Sequence, residues 1–154
     1  MSDIVYCEKW NEVKRGPINE ITPSIARKRH LNKKPYSAWL RDKACVIDLT
    51  FFKAYCTVHF LDKLNRVDTR YTFEEIAGSK LFLAQASVHS YEDAEAFPFS
   101  GVAYRFFTDG RLVKTETNRR DKKPLLEETR LDVSKNYVTV PQFGKYDSVS
   151  ARER

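Results

Sequence analysis

The 154 residues carry 27 Lys and Arg against 21 Asp and Glu, a net charge of +6, and 42% of them are hydrophobic. That hydrophobic content excludes a disordered chain, and the length suffices for one domain with a core that needs no disulfide or metal staple, since a chain of this size buries roughly 68 to 70% of its unfolded surface. No apolar run approaches the roughly 18 residues that cross a bilayer, and the first ten residues lack the apolar stretch of a secretory signal. Three unclustered cysteines, Cys7, Cys45 and Cys56, suit buried reduced thiols rather than a disulfide framework. The expectation is a single soluble cytoplasmic domain over residues 1–154 with no membrane attachment.

The charge is uneven. Residues 1–43 hold ten basic and five acidic side chains, and residues 44–154 hold seventeen and sixteen. The 1–43 segment reads as a basic N-terminal arm broken by Gly16-Pro17, Pro23 and Pro35. One short helix is predicted within it: Thr22 can cap, Pro23 suits the first helical position because its missing N–H would be unpaired there anyway, and Ile25 to His30 form the body. Its cations lie toward the C-terminus, where the helix dipole favours them.

From residue 44 to 140 the pattern is strand after strand. Alternating runs at 45–50, 54–61, 66–73, 80–90, 102–107, 112–117, 125–133 and 137–140 are separated by polar turns, among them the Asp109-Gly110 pair that suits a tight hairpin. Residues 74–79 read equally as a helical turn ending at Gly78. Short sequential connections predict a mainly β fold: an antiparallel up-and-down meander of about eight strands, closed as a barrel or strongly curved, with the short N-terminal helix packed on it. An α+β layer in which that helix covers one sheet face is the neighbouring possibility. The tail, 141–154, is expected to pack through Phe143 and Tyr146 and to fray beyond them.

Strand parity sorts side chains onto faces. Val58, Phe60, Val67, Tyr71, Phe73, Phe82, Ala84, Ala86, Val88, Val102, Tyr104 and Phe106 are expected in the core. Thr57, His59, Arg66, Asp68, Arg70, Thr72, Gln85, Ser87, His89 and Arg105 are expected on the opposite, polar face.

Chemistry was sought in that polar set. Cys56 and His59 differ by an odd number on one strand and so diverge, which with no CxxC and no close histidine pair argues against a metal site. His59 and His89 share the polar parity and could serve acid/base chemistry if their strands adjoin, with Arg70 and Gln85 nearby. The carboxylate pairs Glu74-Glu75 and Glu127-Glu128 diverge on strands, and no phosphate-binding glycine motif occurs. No cofactor is expected.

The leading functional expectation is therefore a non-enzymatic binding protein acting through a protein partner, in the manner of an inhibitor or immunity protein that neutralises a toxin or enzyme. The candidate partner or ligand face is His59, Arg70, Gln85, His89 and Arg105. The alternatives are a β-barrel that binds a polar small molecule, a barrel enzyme using His59 or His89, and nucleic-acid binding. The patch Arg27, Lys28, Arg29, Lys33 and Lys34 would receive nucleic acid or an acidic partner, with a second basic cluster at Arg119, Arg120, Lys122 and Lys123. Parity supplies a test: a ligand barrel encloses the polar set, and a partner-binding domain exposes most of it.

Overall fold

The computed structural model describes residues 3–94, 97–118 and 120–153, without the side chains of Asp121 and Lys122; Arg119 of the second basic cluster lies outside the described residues, as does the Lys122 side chain. Eleven strands make one antiparallel sheet. In chain order they are β1 (Ile4–Asn11), β2 (Gly16–Ile21), β3 (Tyr36–Leu40), β4 (Cys45–Leu49), β5 (Cys56–Leu61), β6 (Val67–Ile76), β7 (Lys80–Ser90), β8 (Ser100–Phe106), β9 (Arg111–Asn118), β10 (Asp121–Arg130) and β11 (Tyr137–Thr139). Helix α1 (Pro23–Leu31) lies between β2 and β3, and the single turn α2 (Asp147–Ser150) ends the fold.

The spatial order is β10-β9-β8-β7-β6-β5-β4-β3-β1-β2, and β11 adds to the start of β7 through Tyr137, Val138 and Thr139 opposite Phe82, Leu81 and Lys80. The meander is as expected, but β10 and β2 are its two ends and the sheet does not close, which corrects the barrel alternative. The count also exceeds eight. Within residues 3–43, β1, β2 and β3 belong to the sheet, where an arm with one helix was expected.

That helix forms as its sequence dictates. Pro23 opens it, the Thr22 hydroxyl accepts from the Ile25 N–H (3.2 Å), and Lys28, Arg29 and His30 occupy its last turn. Two hairpins show why the turns are where they are. Gly110, at φ +93°, closes 107–111 with its N–H on the Phe107 carbonyl (3.0 Å), and Asn65, at φ +59°, does the same after Asp62. Residues 74–79 are not a helical turn: β6 runs to Ile76, and the chain reverses at Gly78.

Closure is replaced by a strap. Strands β1 and β3–β7 all contribute to one core, including Tyr6, Tyr36, Ile47, Val58, Phe60, Phe73 and Leu83. Ala26 of α1 and the C-terminal residues Val138, Val140, Phe143, Tyr146 and Val149 seal it. The tail is thus docked further than expected: Arg152 lies over the Phe60 ring (5.0 Å) and donates to Asp68 Oδ1 (2.8 Å), and its carbonyl accepts from the Tyr71 hydroxyl.

Two β-bulges redirect the faces. Phe60 opposes Thr69 but Leu61 opposes Val67, so Asp68 is extra. Val67 consequently joins Trp10, Trp39, Val46 and Leu61 on the reverse of the sheet, and Asp68 leaves the expected polar set for Arg152. In β7, Thr72 opposes Gln85 and Phe73 opposes Leu83, leaving Ala84 extra. Leu81 and Leu83 therefore fill the main core, while Phe82 and Ala84 pack on the reverse beneath Val133. Beyond this point, Val88 is exposed and Ala86, Val102 and Tyr104 are only half-buried, against the expectation of a core. No described residue of β8, β9 or β10 is buried, and apart from Phe106, which packs against the core, these strands leave the body as a single layer.

Candidate binding site

The polar face begins with a charge inside an apolar strand. Asp48 interrupts the run Cys45 to Leu49, and a carboxylate there needs partners to offset its desolvation. It accepts from the Ser37 hydroxyl on β3 and lies 2.7 Å from His59 Nε2 on β5. Arg70 Nε on β6 donates to His59 Nδ1 (3.0 Å), and Arg70 Nη2 donates to Glu12 Oε1 (2.7 Å). Strand register makes this chain continuous: Ser37 opposes Asp48, and His59 opposes Arg70.

The chain assigns the imidazole. A donor aimed at Nδ1 requires a lone pair there, so the ring proton resides on Nε2 and points at Asp48. Both nitrogens are occupied within the fold, and His59 is only 6% exposed. Burial pushes the Asp48 carboxyl up, but the hydrogen bonds from His59 and Ser37 and the charge of Arg70 outweigh it and hold the group below the usual range. The tip of the β1–β2 hairpin covers this region. Glu12 reaches Arg70, and the Arg15 guanidinium donates to the carbonyls of Leu64 (3.3 Å) and Ala94 (3.2 Å).

Past Arg70 the same face is open. Arg70, Thr72, Gln85, Ser87, Arg105 and Thr115 line a trough of about 380 Å³ over β6–β9. Gln85 opposes Arg105 directly. The Arg105 guanidinium is held between Glu74 (4.0 Å) and the Phe107 ring (5.3 Å), and Arg111 lies on the same ring (3.9 Å). A second depression of about 380 Å³ shares Ala103 and is lined by His89, Phe99, Gly101 and Thr117. The Ser87 hydroxyl lies 3.2 Å from His89 Nε2. Burial, and then the charge of Arg70, hold the His89 imidazole below its usual range.

The structure therefore brings Arg70, Gln85 and Arg105 into one trough, places His89 next to it, and sets His59 beneath, out of reach. Asp48, Ser37 and Glu12 were missed by sequence reasoning. The lone acid inside the apolar run at 45–49 was the available signal for the first; Glu12 reaches the site only because the hairpin folds over. Cys45 and Cys56 are buried in the main core, with Cys56 on the face opposite His59. Burial pushes the Cys45 thiol up to about 12 and the Cys7 thiol up to about 11, so neither supplies a thiolate at neutral pH. No group of His, Cys, Asp and Glu among the described residues is arranged to hold a metal ion.

The basic patch lies elsewhere, on α1 and the turn after it. Arg29 Nη2 donates to Glu8 Oε1 (3.0 Å) and its Nη1 to the Pro35 carbonyl (3.3 Å). Arg27 lies over the Phe143 ring (5.6 Å). Among the described residues, Lys28, Lys33 and Lys34 have no ion-pair partner.

The chain matches no family model, no curated protein and no solved structure. Among the described residues, no helix is long and apolar enough to cross a membrane. Function is therefore read from these surfaces alone.

Proposed function

We propose that this protein acts by binding another protein across the open trough of β6–β9, as an inhibitor or immunity-type protein that occludes a toxin or enzyme. One observation carries the reading. The polar face is divided, with Gln85 and Arg105 presented to solvent while His59 is buried beneath with both ring nitrogens committed to Asp48 and Arg70. An acid/base centre needs a group free to exchange a proton with substrate. A docking face needs a shaped depression with oriented polar groups, and Arg105, fixed by Glu74 and Phe107, is one that loses little freedom on binding.

A photo-crosslinking residue at Thr115, on the trough floor, and another at exposed Lys145 on the C-terminal strap test this in a native lysate. A discrete protein adduct at Thr115, absent at Lys145 and lost on adding Arg105→Glu, is the expected result. No adduct at Thr115, or the same adducts at both positions, overturns the proposal. A polar small molecule is the second reading, because the trough volume lies within the range of ligand sites. Native mass spectrometry of the gently purified protein separates it, through a bound mass that Arg105→Ala removes.

A further inference from the structure

Helix α1 is held to the core along one side, where Ala26 is buried and the His30 ring meets Tyr36, Phe51 and Phe143. Of its nine residues only Ala26 is buried. Its outward side, where Ile25 and Leu31 are exposed among cations, takes no part in that packing. Ile25, Lys28, Arg29 and Asn32 follow the three- and four-residue spacing of one helical face, and the returning chain at Lys34 and Pro35 lies against that face. Together these six residues line a groove of about 420 Å³ that sets two apolar side chains, Ile25 and Pro35, among three cations.

The groove is partly built in advance. Arg29 is tied to Glu8 and to the Pro35 carbonyl, which fixes the width of the groove, and the Asn32 side chain is tied to the Lys28 carbonyl (3.0 Å). Lys28 and Lys34 are left with their charges unopposed, and no acidic residue occurs in the chain between Glu20 and Asp42. Lys33, at φ +53°, occupies a left-handed position after the helix that glycine or asparagine fills at lower cost.

From this we infer that the α1 groove is a docking site for an acidic protein segment carrying one bulky apolar side chain, which sits on Ile25 and Pro35 while flanking carboxylates meet Lys28 and Lys34. The site is separate from the β6–β9 trough and does not depend on the reading of it. Charge complementarity names the carboxylates, and the apolar pair decides between classes of macromolecule. A single-stranded nucleic acid calls for stacking platforms, but no aromatic side chain lines this groove, and the nearby Phe143 ring is already taken by Arg27 and stacked on Tyr6 (5.2 Å).

The test uses the full chain and three labelled probes in fluorescence anisotropy: a short peptide of alternating Glu and Gly around one Leu, the same peptide with Ala for Leu, and a single-stranded oligonucleotide. The Leu peptide should bind, more weakly as salt is raised, and the Ala peptide should bind about tenfold more weakly than it. Lys28→Glu combined with Lys34→Glu should weaken the Leu peptide by about tenfold or more, and Ile25→Asp should reduce the Leu peptide to the level of the Ala peptide. All three positions are exposed, and circular dichroism checks that the variants are folded. No binding of the Leu peptide, equal binding of both peptides, wild-type affinity in the double lysine variant, or tighter binding of the oligonucleotide would each overturn the inference.

Discussion

The sheet has two regions built from the same alternating pattern and stabilised in opposite ways. In β3 to β5 both faces are covered: the strap and α1 close the inner face, and the β1–β2 hairpin closes the reverse over Trp39, Val46 and His59. In β8 to β10, Phe106 apart, neither face is covered, and Leu125 and Leu126, adjacent and so pointing to opposite sides, are each 68% exposed. A strand ladder persists there by hydrogen bonding and by cross-strand contacts such as the Arg111–Glu128 ion pair (3.5 Å). Period-two patterning thus specifies a strand, and whether that strand is core or platform depends on what other segments lay across it.

Substitutions can sharpen the contrast. Phe73→Ala, in the body, should cost about 3–5 kcal/mol in denaturant unfolding. A much smaller loss would show that the body tolerates cavities as the open layer does. Arg70→Ala, where the two regions meet, should cost about 1–3 kcal/mol, because it leaves the buried Nδ1 of His59 without a donor; an unchanged midpoint would dissolve the proposed link.

Acid should strain both regions. Burial holds the imidazoles of His30, which meets the Tyr36 hydroxyl (2.8 Å), and of His89 below the usual range. A depressed folded pKa means that the unfolded chain binds the proton first, so stability is full above about pH 6.5 and is lost as pH falls through the lower folded values. The drop in melting temperature from neutral pH to mildly acid pH should shrink in His30→Gln for the body and in His89→Gln, on β7 where it borders the open layer. A drop unaltered in both variants would refute this. The smallest effect is expected of Leu126→Ala, within about 0.5 kcal/mol, and a large one would mean that the layer is covered in solution.

Most of β4 to β11 was legible because each strand has a wet side or a clear turn at its ends. The start of the helix was legible to the residue, since Thr22 and Pro23 carry its capping chemistry locally, and its end lies one residue past the expected His30. β2 and β3 were not. Four of the five residues of β3 are buried, including Ser37, so alternation disappears where the hairpin covers the reverse face. In β2, Pro17 reads as a breaker but sits near the start of an edge strand, where a missing N–H is tolerated. The bulges at Asp68 and Ala84 carry no local signal, so every face assignment beyond them had to be read from pairing. Arg70, Gln85 and Arg105 adjoin because the register carries them across three adjacent strands, but the burial of His59 depended on a hairpin whose fold-over is a tertiary event.

The strap has a consequence for how the chain is made. Tyr36 and Tyr146 join hydroxyls across 110 residues of sequence (2.9 Å), and Val149 is fully buried against strands synthesised far earlier. Translation must therefore run almost to residue 150 before the inner face can be covered, and until then the growing chain displays its most apolar surface. Covering of the inner face waits on residues 138–149, and the interval before they emerge is when the nascent chain is most open to aggregation or to capture by a chaperone.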